Sequence, residues 1–176
     1  MERILISACL MGRPVRYDGT DKRCDATDTI ARWQNEGRLV AFCPEVAVGF
    51  PTPRPPAEII GPDGTGTATF DGADVLVGTA RVFEDVGNDV SQRYIQAAFD
   101  TVAFAKRHGC RHAVLTDGSP SYGSTFVYDG TFTGQTVAGI GTTTAALRTA
   151  NITVWPEHAI PALDAVLQKA GGAQPT

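Results

Sequence analysis

The chain has 176 residues, 43% of them hydrophobic, enough to bury a core and within the usual size of one domain. Fifteen Lys and Arg against nineteen Asp and Glu give a formal charge of −4, and no segment concentrates the basic residues, which argues against an extended nucleic-acid surface. The N-terminus opens on Ile4-Leu5-Ile6 with neither a basic leader nor a small-residue cleavage site, and no apolar run approaches the roughly 20 residues of a membrane span. A soluble, cytoplasmic protein with no membrane contact is expected.

Arg3 to Ala8 is apolar and then breaks at Gly12, Pro14 and Asp18-Gly19, which predicts a buried strand and a loop. A helix follows, capped by Asp25 or Thr27, with Ile30, Ala31 and Trp33 as its apolar face and Gly37 at its end. Leu39 to Phe42 is a second short buried strand that runs into Cys43-Pro44-Glu45. From Gly49 to Gly72 the density of Pro and Gly rules out long regular elements, although Glu58-Ile59-Ile60 and Thr67 to Phe70 each suit a short strand. A loop of that length in one domain is a sign of function or disorder.

The clearest helix runs from about Asp89 to His108, with Tyr94, Ile95, Ala98, Phe99, Val102 and Ala105 at helical spacing and Gly109 as its stop. His112 to Thr116 is a third buried strand, opening into Asp117-Gly118-Ser119-Pro120-Ser121-Tyr122-Gly123-Ser124. A hairpin around Asp129-Gly130, a Thr-rich helix from Thr142, a strand over Ile152 to Trp155 and a last helix over Ala159 to Lys169 complete the chain. Strands alternating with helices predict one α/β domain over residues 1–170, a mainly parallel sheet with helices on both faces. The tail from Gly171 is expected to be disordered.

In an open parallel sheet, ligands bind beyond the carboxyl ends of the strands. Cys9, Cys43-Pro44-Glu45 and the segment Asp117 to Ser124 all fall there. The four cysteines, Cys9, Cys24, Cys43 and Cys110, form no C-x-x-C pair, and nothing points to disulfides. Cys9 and Cys43 suit either chemistry or packing, because free Cys is among the most buried residue types. Cys110 follows a helix end and reads as packing, whereas Cys24 sits in a polar loop beside Lys22 and Arg23. Glu45 follows a proline that fixes the backbone, so it suits either proton transfer or a place at a helix N-terminus. Ser119 and Ser121 flank Pro120 in a tight turn and suit either anion contact or turn capping. Gly139-Ile140-Gly141 lacks the full phosphate-binding fingerprint; His108 and His112 flank one turn rather than share a helix, and His158 lies near the last strand, so none reads as a metal ligand.

Four ordered motifs carry a resemblance. They are Ile6-Ser7-Ala8-Cys9-Leu10-Met11-Gly12 with Arg16-Tyr17-Asp18-Gly19, and Cys43-Pro44-Glu45 through Gly49 to Pro51-Thr52-Pro53-Arg54-Pro55-Pro56-Ala57-Glu58. Gly87-Asn88-Asp89-Val90 and the Asp117 to Ser124 segment complete them. Together they resemble the bacterial family that includes the iron–sulfur thiouracil desulfidases, across most of the chain. The resemblance implies a Rossmann-like domain holding a [4Fe–4S] cluster through three cysteine thiolates, and removal of sulfur from thiouracil or a related small thiolated nucleobase. Carried over by position, Cys9 and Cys43 match two cluster ligands, Glu45 the acid/base carboxylate, and Ser119, or less favourably Ser121, the serine of the turn. The third ligand does not carry over: where the family turn reads Ser-Pro-Ser-Cys-Gly, this chain has Ser119-Pro120-Ser121-Tyr122-Gly123. Cys24 is the substitute ligand the sequence offers, and a non-catalytic ligand-binding protein that keeps the pocket is the alternative reading.

Overall fold

Every side chain from Ile4 to Ser7 is fully buried, so β1 (Arg3–Ser7) is covered on both faces, as a central parallel strand must be. The computed structural model describes residues 1–22, 24–62, 64 and 70–172. After β1 come α1 (Thr27–Asn35), β2 (Leu39–Phe42), the single turn α2 (Pro44–Ala47), β3 (Ala57–Ile60), α3 (Gly72–Val77) and β4 (Arg81–Glu84). Then follow α4 (Ser91–Arg107), β5 (Cys110–Leu115), β6 (Phe126–Tyr128), β7 (Thr136–Ala138), α5 (Thr142–Thr149), β8 (Thr153–Pro156) and α6 (Ile160–Gly172).

The main sheet is parallel throughout, in the order β2-β1-β5-β8. Alternation along β1 splits the core: Ile4 and Ile6 pack with Trp33 of α1 and with Ile160 and Leu163 of α6, while Leu5 packs with Ala105 of α4 and Leu147 of α5. The chain leaves β1 first toward β2 and later toward β5, so the strand order reverses between β1 and β5, and a crevice opens beyond their carboxyl ends. A smaller apolar cluster, including Phe50, Ile59, Val82 and Tyr94, lies under the antiparallel pair β3–β4.

Several local expectations are corrected. The N-cap position of α1 is Ala26, with no side-chain cap from Asp25 or Thr27, and Ala31 is exposed. On α4, Tyr94, Ala98 and Ala105 are buried as expected and Ala97 and Thr101 join them, while Phe99 is 56% exposed. Small residues at 97, 98, 101 and 105 let α4 lie close against α5. Helix α3 was hidden by its Asp-Gly start, which reads as a turn. Asp71 accepts from the Ala73 N–H at 2.8 Å and Asp74 accepts from the Asp71 N–H at 2.9 Å, a reciprocal cap. Of the strand expected over Thr67 to Phe70, residues 67–69 lie outside the described residues, and Phe70 is in no strand. Of the expected tail, 173–176 lie outside the described residues, and Gly171 and Gly172 continue α6. No helix among the described residues is long and apolar enough to cross a membrane.

Candidate active site

The crevice holds a cavity of about 440 Å³, within the range of small-molecule sites. Cys9, Cys43, Glu45, Ser119 and Tyr122 all line it, and Ser121 and Cys24 do not. Cys9 lies just past β1 in a short 3-10 turn (Ala8–Met11) that Gly12 closes in the left-handed region, φ 76°. Its Sγ is 3.2 Å from Thr116 Oγ1, and the Thr116 N–H donates to Ser7 Oγ at 3.1 Å, tying the ends of β1 and β5 together.

Cys43 occupies the N-cap position of α2 without a side-chain capping bond, and Pro44 is the first residue of that turn. Its thiol donates to Glu45 Oε2 at 3.4 Å and faces Val15 O at 4.0 Å. Burial pushes the Cys43 thiol up to about 12, with the neighbouring Glu45 charge adding to it. Burial also raises Cys9, against the lowering effect of its Thr116 hydrogen bond. Both groups are therefore thiols at neutral pH, and binding a metal there releases protons.

Glu45 is buried, and the guanidinium of Arg54 lies 3.8 Å from its Oε1, with the Arg54 side chain 7% exposed. Arg54 also donates to Val15 O at 3.1 Å, which fixes the charge beside Glu45. Tyr94 lines the same cavity, and burial, followed by the Glu45 charge, pushes its phenol far up, so it stays a neutral donor. Neither Arg54 nor Tyr94 was singled out from sequence. The available signal was an arginine inside an otherwise apolar, proline-rich run.

The turn after β5 is organised by Asp117. Its carboxylate accepts from the Ser124 N–H at 2.6 Å, the Thr125 N–H at 2.9 Å, and the hydroxyls of Ser124 and Thr125 at 3.2 and 2.5 Å. Burial works against that charge, but the hydrogen bonds win and hold the carboxyl below its usual range. Ser119 Oγ accepts from the N–H groups of Ser121 and Tyr122, both at 3.1 Å, so its own proton is left for the cavity. The Ser121 hydroxyl is instead fully buried against Thr143 Oγ1 at 2.8 Å. The first amides of α5 are taken up too: Thr142 and Thr143 donate to the carbonyls of Pro120 and Ser121 at 2.9 and 3.0 Å. A Cβ on Gly141 would lie 2.2 Å from Ser121 O, so that glycine serves close packing of this turn rather than a phosphate.

Tyr122 is 4% exposed, packs with Leu5, Leu115 and Leu147, and donates its hydroxyl to Phe42 O at 3.2 Å. Burial, followed by the charge of Glu45, raises its phenol well above the ordinary value, so it is a neutral phenol at neutral pH. Cys24 packs against the α1–α6 side of the core and borders a separate surface depression with Asp25 and His158. Among the described residues, no three His, Cys, Asp or Glu side chains are grouped to hold a metal ion. The donors present therefore do not fit a cluster held by three thiolates: the thiols that line the cavity are those of Cys9 and Cys43, and the phenol of Tyr122 stands where the resemblance would put a third.

The family model described as 2-thiouracil desulfurase matches residues 4–159. The uncharacterized protein YbbK of Bacillus subtilis (strain 168) is 42% identical over 155 residues, covering 88% of this chain and 95% of that protein. Among solved structures, the [4Fe–4S]-dependent thiouracil desulfidase TudS superposes with a TM-score of 0.81 at 40% identity, over 96% of this chain and 99% of that one.

Proposed function

Because this chain belongs to the 2-thiouracil desulfurase family, we propose that it removes sulfur from thiouracil or a related small thiolated nucleobase, in the cytoplasm. The observation that carries this reading is the convergence of Glu45, Cys43, Cys9 and Ser119 on one cavity at the strand-order reversal. All four cysteines are free, which suits a reducing compartment.

The reaction exchanges a thiocarbonyl for a carbonyl with one water, releasing hydrogen sulfide, and it needs no net oxidant or reductant. Glu45 accepts the proton of the attacking water and returns it to the departing sulfur. Its carboxylate is oriented by the Cys43 thiol and balanced by Arg54. The proton of Ser119, left over after its oxygen has accepted two amides, is donated to the charge that develops on the ring. In the family, a cluster would supply a soft metal that captures the sulfur. The two-thiol set of this chain does not complete that site, so the steps assigned to its own residues are water activation, orientation and proton transfer.

Tyr122 favours a second reading, in which the chain binds a thiolated base without turning it over. One experiment separates the two: the full-length protein, purified without oxygen, is assayed for iron and acid-labile sulfide and then incubated with 2-thiouracil and 4-thiouracil. Release of uracil and sulfide supports the desulfidase. Tight binding of either compound with no sulfide released supports the binding protein.

A further inference from the structure

Three aromatic side chains reach the cavity from one hairpin. Val127 of β6 is buried, so its neighbours Phe126 and Tyr128 share the other face of the strand, where they line the cavity and remain 37% and 38% exposed. Gly118 sets their approach to the catalytic turn. Its N–H donates to Phe126 O at 3.3 Å, and a Cβ there would lie 3.0 Å from the Phe126 ring and 3.7 Å from that of Tyr128.

The third ring is Phe132, in the loop between β6 and β7. Its backbone lies in the left-handed region, φ 57°, which a bulky residue adopts only where the surroundings enforce it. Glu58 on β3 is the enforcing group. Its Oε2 accepts from the N–H groups of both Gly130 and Phe132, at 2.9 and 3.0 Å. Glu58 is 7% exposed and lines the cavity itself. Aromatic faces left open inside a concave site mark a ligand contact, and a π-face favours a flat ring over a puckered one.

We infer that the β6–β7 hairpin is the wall on which a planar ligand ring stacks, with Phe126, Tyr128 and Phe132 determining specificity and Glu58 a positioning residue that holds Phe132 in the cavity. This deepens the reading of the cavity as a thiolated-base site and rests on it. Stacking on one such ring changes affinity by roughly tenfold.

The test uses the full-length chain and equilibrium binding of three probes: 2-thiouracil, its puckered 5,6-dihydro derivative, and uracil. The native protein is expected to prefer 2-thiouracil over the dihydro compound by roughly tenfold. Phe132→Leu and Phe126→Leu, checked by thermal melting, should each erode that preference by weakening the flat ring alone. Glu58→Ala should match Phe132→Leu and speed amide exchange at residues 130 and 132, whereas Glu58→Gln, which keeps an acceptor oxygen, should bind as the native protein does. Equal native affinity for flat and puckered rings overturns the wall, as does an undiminished preference in both Leu variants. An unchanged Glu58→Ala variant removes the positioning role. If uracil and 2-thiouracil bind alike, both better than the dihydro ring, and no sulfide is released, the wall stands while the desulfidase reading fails. Binding of none of the three sinks both.

Discussion

Replacing Tyr122 by cysteine tests the idea that the ring occupies the place of a third thiolate. In the protein as it stands, the ring is packed among Leu5, Leu115 and Leu147, with its hydroxyl on Phe42 O. Tyr122→Cys removes that packing and one hydrogen bond, at a cost of about 3 kcal/mol, toward the lower end of aromatic-to-small core substitutions. For a chain of this length, that lowers the melting temperature by roughly 6–12 °C. Tyr122→Ser serves as a control with the same loss of volume and no thiol. After anaerobic reconstitution with iron and sulfide, the Cys variant should take up cluster iron and recover stability by linkage, while the native protein and the Ser variant should not. Iron and sulfide per chain, the visible absorption band and a calorimetric scan read all three proteins. If the native protein takes up a full cluster and the Cys variant holds no more, position 122 is not the missing ligand, and Cys24 or a non-cysteine ligand becomes the candidate.

Glu45→Gln should keep the fold and lower sulfide release by a factor on the order of 10²–10⁴, the usual worth of a positioned acid/base; full activity in a turnover assay would return Glu45 to a structural role. The two serines should separate. Ser119→Ala should lower turnover by roughly a hundredfold, whereas Ser121→Ala should leave turnover near native and cost about 1–2 kcal/mol in denaturant unfolding, by stranding the Thr143 hydroxyl. Asp117, held below its ordinary 3.8 by the Thr125 and Ser124 hydrogen bonds against the pull of burial, contributes stability that is present above 3.8 and lost as pH falls through its folded value. Asp117→Asn should therefore be less stable at neutral pH and show a shallower acid loss than the native protein in melts taken from pH 7 downward; parallel acid limbs would contradict this.

The parallel sheet and the placement of the candidate residues at its edge were legible because both rest on local pattern. Runs such as Ile4-Leu5-Ile6 and Ala113-Val114-Leu115 are apolar on both faces, which a central parallel strand requires, and the residues after each run inherit the carboxyl edge. That places Cys9, Cys43 and Glu45 near one another with no knowledge of packing. Partners far apart in the chain were beyond the sequence. The pairing of Arg54 with Glu45, of Ser121 with Thr143, and of Glu58 with the Phe132 loop depends on how the long loop and the β6–β7 hairpin fold back over the sheet edge. The choice between Ser119 and Ser121 shows the difference most plainly. Two hydroxyls, two residues apart in one turn, are ranked in the sequence by the resemblance alone, and burial against α5 turns Ser121 into packing while Ser119 lines the cavity. Position 122 combines both levels: the sequence alone shows that no thiol stands there, and only the tertiary contacts show that its phenol is neutral, buried and already committed to a backbone carbonyl.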